Sequence, residues 1–238
     1  MKPARKRNPF PQDVVIFDFD GTVADTMRFL VDLAAGLLVA RYGMSDAEAR
    51  KAYIDTTGLP FCRQIEIIFP AHPLNAATVD EFESEKRAHL TEFVLFPDAS
   101  AVIAEIRKHG LKVCLSSGNV EALIQELLKS RGLAVDLVMG WRPGFEKGPD
   151  HFRFAARTFK VPIDRVVFIG DSVKDGLAAK EAGIRFIARA GLVGVEQLER
   201  FLPGAPVIGS LTEILPLLGI VTARENLGTT TSSRASTS

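Results

Sequence analysis

The 238-residue sequence has little of what several classes of protein are built from. It contains only two cysteines, Cys62 and Cys114, too few for a disulfide framework, which fits a protein of the reducing cytoplasm. No run of about 18 apolar residues is present, so no membrane-spanning segment is expected. Neither sign of charge is in excess, because 29 Lys and Arg balance 29 Asp and Glu. This balance gives no support to binding of nucleic acid or of an anionic membrane.

The remaining composition, 47% hydrophobic and 24% charged, is that of an ordinary packed globular protein. Its length allows one large domain, or a core with a smaller insert. The two ends differ from the rest. Residues 1–11 are basic and contain prolines, which predicts a solvated arm. Residues 222–238 are dominated by Ser and Thr and have few apolar side chains to bury, which predicts a flexible tail.

Apolar strand patterns alternate with helical patterns along most of the chain. The run Val14–Phe17 is typical of a strand buried on both faces, and similar runs follow helical segments at 111–115, 135–139, 165–169 and 184–188. This alternation predicts an α/β protein with a Rossmann-like, doubly wound parallel sheet. Between residues 25 and 93 the pattern changes to amphipathic helices, at 26–41, 45–53, 61–68 and 77–92. We therefore predict a core of residues 12–24 and 94–221 with an all-helical insert at 25–93.

Polar clusters follow the predicted strands, at the edge where open parallel sheets bind ligands. The first, Asp18–Thr22, places two carboxylates at alternate positions after a strand, so both face a common crevice. Acids so close together favour a bound metal ion or a shared proton. The second cluster, Ser116–Asn119, precedes a helix N-terminus, where free N–H groups and the helix dipole attract phosphate.

Two further clusters lie later in the chain. Lys147 stands in a loop ahead of a helix, where an ammonium group can neutralise an anionic substrate. Asp171 and Asp175 are four residues apart on a first helical turn and offer the oxygen ligands that Mg²⁺ takes. Each cluster alone has an ordinary explanation, since Asp and Ser cap helices and most lysines are solvated. Four such clusters at strand ends favour a single site.

Taken in order, the clusters resemble the motifs of the haloacid dehalogenase superfamily, in its phosphatase branch with a helical cap after the first motif. The resemblance covers about residues 12–220 and is to the phosphoglycolate phosphatase and β-phosphoglucomutase-like members. The resemblance rests on four motifs in order: Asp-x-Asp-Gly-Thr at 18–22, a Ser that ends a strand at 116, a Lys at 147, and Gly-Asp-Ser at 170–172 followed by the acid Asp175. By this resemblance the helical insert is the cap.

The resemblance implies roles for these residues. Asp18 would be the nucleophile that takes the phosphoryl group, and Asp20 the general acid and then the general base. Mg²⁺ would be held by Asp18, Asp171 and the backbone carbonyl of Asp20, with Asp175 orienting the ion and its waters. The phosphoryl oxygens would be bound by a set of donors from the second and third motifs: Ser116, Ser117, Gly118 and Lys147.

The resemblance also implies that cap loops contact the leaving group. The turn at 56–60 is the candidate, with Thr57 and Gly58, and Arg63 could meet a second anionic group, although a solvated arginine is the more ordinary explanation. The two cap lysines, Lys51 and Lys86, are expected to be solvated, which argues against a Schiff-base phosphonatase. The four histidines have no metal-site spacing and are expected at the surface or its boundary: His72, His89, His109 and His151.

The predicted activity is Mg²⁺-dependent hydrolysis of a small phosphorylated metabolite, with phosphoglycolate, a sugar phosphate or a nucleotide as candidates. A phosphomutase of the β-phosphoglucomutase kind has the same motifs and stays an alternative. A non-catalytic binding protein on the same fold is disfavoured, because the catalytic acids and Lys147 are intact. Asp20 argues against carbon–halogen cleavage, since the dehalogenases lack this second acid. The predicted state is a monomer or homodimer.

Overall fold

The computed structural model describes residues 11–89 and 92–221. The predicted Ser/Thr-rich tail, and all of the predicted basic arm except residue 11, lie outside this part. Within the described residues no helix is long and apolar enough to cross a membrane.

Six parallel strands form one sheet in the order β3-β2-β1-β4-β5-β6. They are β1 (Val14–Asp18), β2 (Lys112–Ser116), β3 (Leu137–Met139), β4 (Val166–Gly170), β5 (Arg185–Arg189) and β6 (Val207–Ile208). The predicted Rossmann-like sheet is therefore confirmed. Strand β6 was not predicted, because its two residues are too few to give a strand pattern.

The helices of the described chain fall into two groups. Four lie between β1 and β2: α1 (Met27–Tyr42), α2 (Asp46–Thr56), α3 (Phe61–Ile68) and α4 (Asn75–Ala88). Six accompany the sheet: α5 (Ala99–Lys108), α6 (Glu121–Ser130), α7 (Pro149–Phe159), α8 (Val173–Ala182), α9 (Val195–Phe201) and α10 (Ile214–Leu217). The prediction of a helix over 77–92 was wrong at both ends. Its true first residue, Asn75, is polar but buried, and it accepts a hydrogen bond from the Tyr42 hydroxyl at 2.9 Å.

Alternation along β1 divides the core between the two faces of the sheet. Val15 and Phe17 belong to one buried cluster, while Val14 and Ile16 belong to the other. Helices α1 to α4 enclose a third cluster, in which the rings of Phe61 and Phe82 stack at a centroid distance of 3.9 Å. The helical segment between β1 and β2 thus has a hydrophobic core of its own.

Candidate active site

A small cavity of about 70 Å³ lies between the carboxyl edge of the sheet and helices α1 to α4. The sheet side contributes residues of all the predicted motifs: Asp18, Asp20, Gly118, Asn119, Lys147 and Asp171. The helical side contributes Met27, Leu30, Tyr53, Thr57, Gly58, Leu59, Pro60, Phe61, Gln64, Phe82, Glu83 and Lys86. The fold therefore brings together residues that are far apart in the sequence.

Three buried carboxylates form the centre of this site. Asp18 ends β1, Asp171 follows β4 and Asp175 lies in the first turn of α8, and one oxygen of each lies within 4.8 Å of the others. Asp175 also forms a capping box with Ser172, which fixes its position. Oδ2 of Asp171 is buried and has no hydrogen-bond partner among the described residues. Clustered oxygen ligands with an unused lone pair are suited to a divalent metal ion.

Lys147 lies beside these acids and is nearly buried. Its Nζ atom is 2.7 Å from Oδ1 of Asp18 and 2.8 Å from Oδ1 of Asp175. Burial would lower the pKa of Lys147, but the carboxylates of Asp175 and Asp18 outweigh it and raise that pKa above its ordinary value. The ammonium group is therefore charged and held against the predicted nucleophile.

The carboxylates remain in excess despite Lys147. Burial raises the pKa of Asp18 well above its ordinary value; Lys147 opposes the rise, and Asp175 and Asp171 add to it. Burial and then Asp175 raise the pKa of Asp171 to about 7, again against Lys147. Three clustered carboxylates thus face one ammonium group, a charge balance that a divalent cation would correct.

Asp20 is held apart from the three-carboxylate group by two side chains. The Thr26 hydroxyl donates to its Oδ1 at 2.7 Å, and the Asn119 amide donates to its Oδ2 at 2.6 Å. Neither residue was predicted to have a role from the sequence. Asn119 stood within the second motif and could have been considered, whereas nothing in the sequence singles out Thr26.

The second motif is placed unevenly around the cavity. The hydroxyl of Ser116 is fully buried, lies 2.9 Å from Nδ1 of His151 and does not line the cavity. Oγ of Ser117 accepts a hydrogen bond from the Asn119 backbone at 3.0 Å. Gly118 does line the cavity, and its N–H has no partner among the described residues. That N–H is the part of the motif available to an anion.

The expectation that His151 lies at the surface or its boundary was wrong. The side chain is fully buried, and its ring packs against Phe145 at a centroid distance of 4.4 Å. Burial, with Lys147 adding to it, lowers the pKa of His151 to about 4. His151 is therefore neutral near pH 7 and stands behind Ser116 as part of the wall that supports the second motif.

The turn after α2 meets the sheet edge directly. Thr57 and Gly58 line the cavity, and Gly58 has a φ of 89°. The Nζ of Lys174 donates to the Thr56 carbonyl at 2.7 Å, which ties this turn to α8. Arg63 does not line the cavity; its side chain is 66% exposed and lies 3.7 Å from Glu146.

Lys86 contradicts the expectation that both cap lysines are solvated. It is 7% exposed, lines the cavity and has its Nζ 2.6 Å from Oε2 of Glu83, which lines it too. Lys51, in contrast, is exposed and pairs with Asp55 on the same helix. Since no local pattern distinguishes the two lysines, only the packing of α4 over the sheet edge reveals the difference.

Comparison with known proteins agrees with this fold and site. Residues 15–189 match the model of the haloacid dehalogenase-like hydrolases, and the chain belongs to this family. The chain is 30% identical to the phosphoglycolate phosphatase of Neisseria meningitidis, over 71% of this chain and 76% of that protein. It is 29% identical to the protein CbbY of Cereibacter sphaeroides, over 87% of this chain and 96% of that protein.

Solved structures share the fold at lower sequence identity. A haloacid dehalogenase-like family protein from Streptococcus pneumoniae superposes with a TM-score of 0.73 at 20% identity, covering 87% of this chain and 98% of its own. CbbY from Rhodobacter sphaeroides, solved in complex with phosphate, superposes with a TM-score of 0.70 at 24% identity, covering 88% of this chain and 100% of its own.

Proposed function

We propose that the protein is a Mg²⁺-dependent phosphatase that hydrolyses a small phosphate monoester through an aspartyl phosphate on Asp18. The observation that carries this proposal is the grouping of Asp18, Asp171 and Asp175 around one point, with Lys147 within 2.7 Å of Asp18. The donor set fits Mg²⁺. Asp18, Asp171 and the Asp20 carbonyl would hold the ion, which supplies positive charge for the phosphoryl oxygens.

Two half-reactions follow from the residues around Asp18. In the first, a carboxylate oxygen of Asp18 bonds to phosphorus while the ester oxygen leaves and takes a proton from Asp20. In the second, Asp20 takes a proton from a water molecule, whose oxygen bonds to phosphorus and releases Asp18 and inorganic phosphate. Thr26 suits both steps, because its hydroxyl donates to ionised Asp20 and can accept from the protonated acid.

Phosphoryl oxygens are proposed to bind between Lys147 and the N–H of Gly118. Both line the cavity, and the ammonium and the N–H groups at the start of α6 present positive charge where charge develops in the transition state. Ser116 does not line the cavity. We propose that its hydrogen bond with His151 supports the position of the second motif.

Replacing Asp18 by Asn tests the nucleophile. A carboxamide cannot form the acyl phosphate, so we expect phosphatase activity with Mg²⁺ to fall by at least about 10³-fold while the fold is retained. Activity toward a panel of phosphorylated metabolites and the circular dichroism spectrum would be measured for both proteins. An Asp18→Asn variant with unchanged turnover, or wild-type turnover unchanged by EDTA, would contradict the proposal.

We propose that the leaving group is a small alcohol that carries a carboxylate, and phosphoglycolate is the first substrate to test. Lys86 places a buried ammonium group in the cavity wall, and the relative from Neisseria meningitidis is a phosphoglycolate phosphatase. Glu83 would have to release Lys86 to the substrate carboxylate. The two residues should therefore have opposite effects on kcat/KM for such a substrate.

This opposition gives a sharp test with two variants. Lys86→Gln should lower kcat/KM for phosphoglycolate by roughly 10- to 100-fold, because the charged donor is replaced by a neutral one. Glu83→Gln should raise it, because the competing carboxylate is gone. Glycerol 3-phosphate, whose leaving group is uncharged, is the control substrate and should respond little to either change. Equal losses for both substrates would assign the pair a structural role.

A further inference from the structure

A second cavity of about 540 Å³ is lined by Gly21, by the start of α1 and by the end of β5, and it shares Met27 with the active-site cavity. Its base is Arg189, at the end of β5, and its apolar walls come from Met27, Val31, Phe96 and Leu192. The volume is within the range of about 300–1,000 Å³ that is usual for small-molecule sites. None of the predicted catalytic side chains lines this cavity.

Arg189 is buried without a counter-ion. It is 7% exposed, and no carboxylate among the described residues lies within 4.0 Å of its guanidinium. One amino group donates to the Gly21 carbonyl at 2.8 Å, and the guanidinium carbon lies 3.6 Å from the centre of the Phe96 ring. Nε is buried and has no partner among these residues. A buried charge without a partner is costly, and a cation–π contact offsets only part of the cost.

Burial lowers the pKa of Arg189, and the nearby carboxylates of Asp98, Asp171 and Asp25 oppose this but do not outweigh it. The side chain of Asp98, a neighbour of Arg189, already accepts hydrogen bonds from the Ser210 hydroxyl and the Leu211 backbone, both at 2.7 Å. Arg50, which also lines the cavity, is paired with both Asp32 and Asp46.

Arg28 adds a second guanidinium to the cavity. It is exposed at the rim and forms no ion pair within 4.0 Å in the described part of the chain. Of the three lining arginines, Arg50 is paired with Asp32, whereas Arg28 and Arg189 have no carboxylate within 4.0 Å among the described residues.

We propose that this cavity is a second ligand site, which binds the carboxylate or phosphate group of a small molecule between Arg189 and Arg28. The apolar part of the ligand packs against Met27, Val31 and Leu192. Planar guanidinium groups bind either anion through paired hydrogen bonds. The proposal does not depend on the catalytic chemistry of Asp18, because the two cavities have different charged residues.

Titration calorimetry on the full chain with Mg²⁺ tests the site with two probes, hexanoate and inorganic phosphate. Binding of hexanoate at one site per chain identifies a carboxylate ligand. Two phosphates per chain, one of them catalytic, identify a phosphate ligand. Binding of hexanoate, or of the second phosphate, should disappear in Arg189→Met and weaken at least about tenfold in Arg28→Met. It should persist in Arg153→Met, an exposed control on α7.

Two results would overturn the proposal. One is no hexanoate binding tighter than about 1 mM together with a single phosphate per chain. The other is binding that survives unchanged in both cavity variants. Arg28 is exposed, so Arg28→Met decides the question if Arg189→Met does not fold, as judged by its melting temperature.

Discussion

Replacing Gly58 by alanine tests whether the turn after α2 must pack against α8 for catalysis. An added Cβ would lie 2.4 Å from Oγ of Ser172 and 3.1 Å from Cβ of Lys174, whereas ordinary contacts begin at 3.4 Å. The turn would therefore have to withdraw by about 1 Å from the cavity that it lines.

Two separate costs contribute to the expected effect. An L-residue in left-handed backbone costs about 1–2 kcal/mol, and overpacking typically costs about 1–3 kcal/mol. Gly43→Ala is the matched control, since Gly43 has a φ of 71° and a Cβ there would meet nothing within 4 Å. Both variants should lose stability through strain. Only Gly58→Ala should also weaken the packing of the turn against α8. The cost of this overpacking would lower kcat/KM by roughly 5- to 150-fold.

The assay is kcat/KM on the best substrate at saturating Mg²⁺, together with melting temperatures, for the wild type and the two variants. Gly43→Ala should keep wild-type kcat/KM. If Gly58→Ala matches Gly43→Ala in both measurements, the contact with α8 has no part in catalysis, and our account of the turn is refuted.

Two further predictions concern buried charge. Lys147→Met leaves Asp18 and Asp175 unpaired, so the free energy of unfolding in EDTA should fall by about 3–5 kcal/mol, and by less with millimolar Mg²⁺, in urea titrations; equal losses would contradict the metal assignment. The pKa of His151, about 4, lies below its ordinary 6.5, so the folded protein binds fewer protons between these values. Stability should fall as the pH drops through this range, by at most about 3 kcal/mol, and His151→Asn should lack this part of the slope.

The sheet and the motif order could be predicted because both depend on local sequence. A β-branched run such as Val14–Phe17 defines a buried strand, and polar residues at its end define the ligand edge. The hydrogen bond from Asn119 to Asp20 spans 99 residues, so only the pairing of β1 with β2 creates it. Burial of Lys86 likewise depends on how α4 packs, which no local pattern encodes.

The carboxylate of Asp98 has a structural role in this chain. It accepts hydrogen bonds from the Ser210 hydroxyl and the Leu211 N–H, both at 2.7 Å. It thereby caps the 3₁₀ turn at 211–213, a role that Gly could not fill. Because these partners lie 112 and 113 residues away in the sequence, no local pattern predicts this role.

We expect helices α1 to α4 to move when substrate enters, since the volume of the candidate site, about 70 Å³, is below that of the usual ligand pocket. The chain crosses to and from these helices along two adjacent segments, in which the Asp25 N–H donates to Val94 and the Phe96 N–H donates to Val23, both at 2.9 Å. Rotation about this pair would keep both bonds. Across the cavity, the bond from Lys174 to Thr56 would break, at a cost of about 1 kcal/mol. We therefore expect opening to pivot at the crossing segments and to release the turn at Gly58 first.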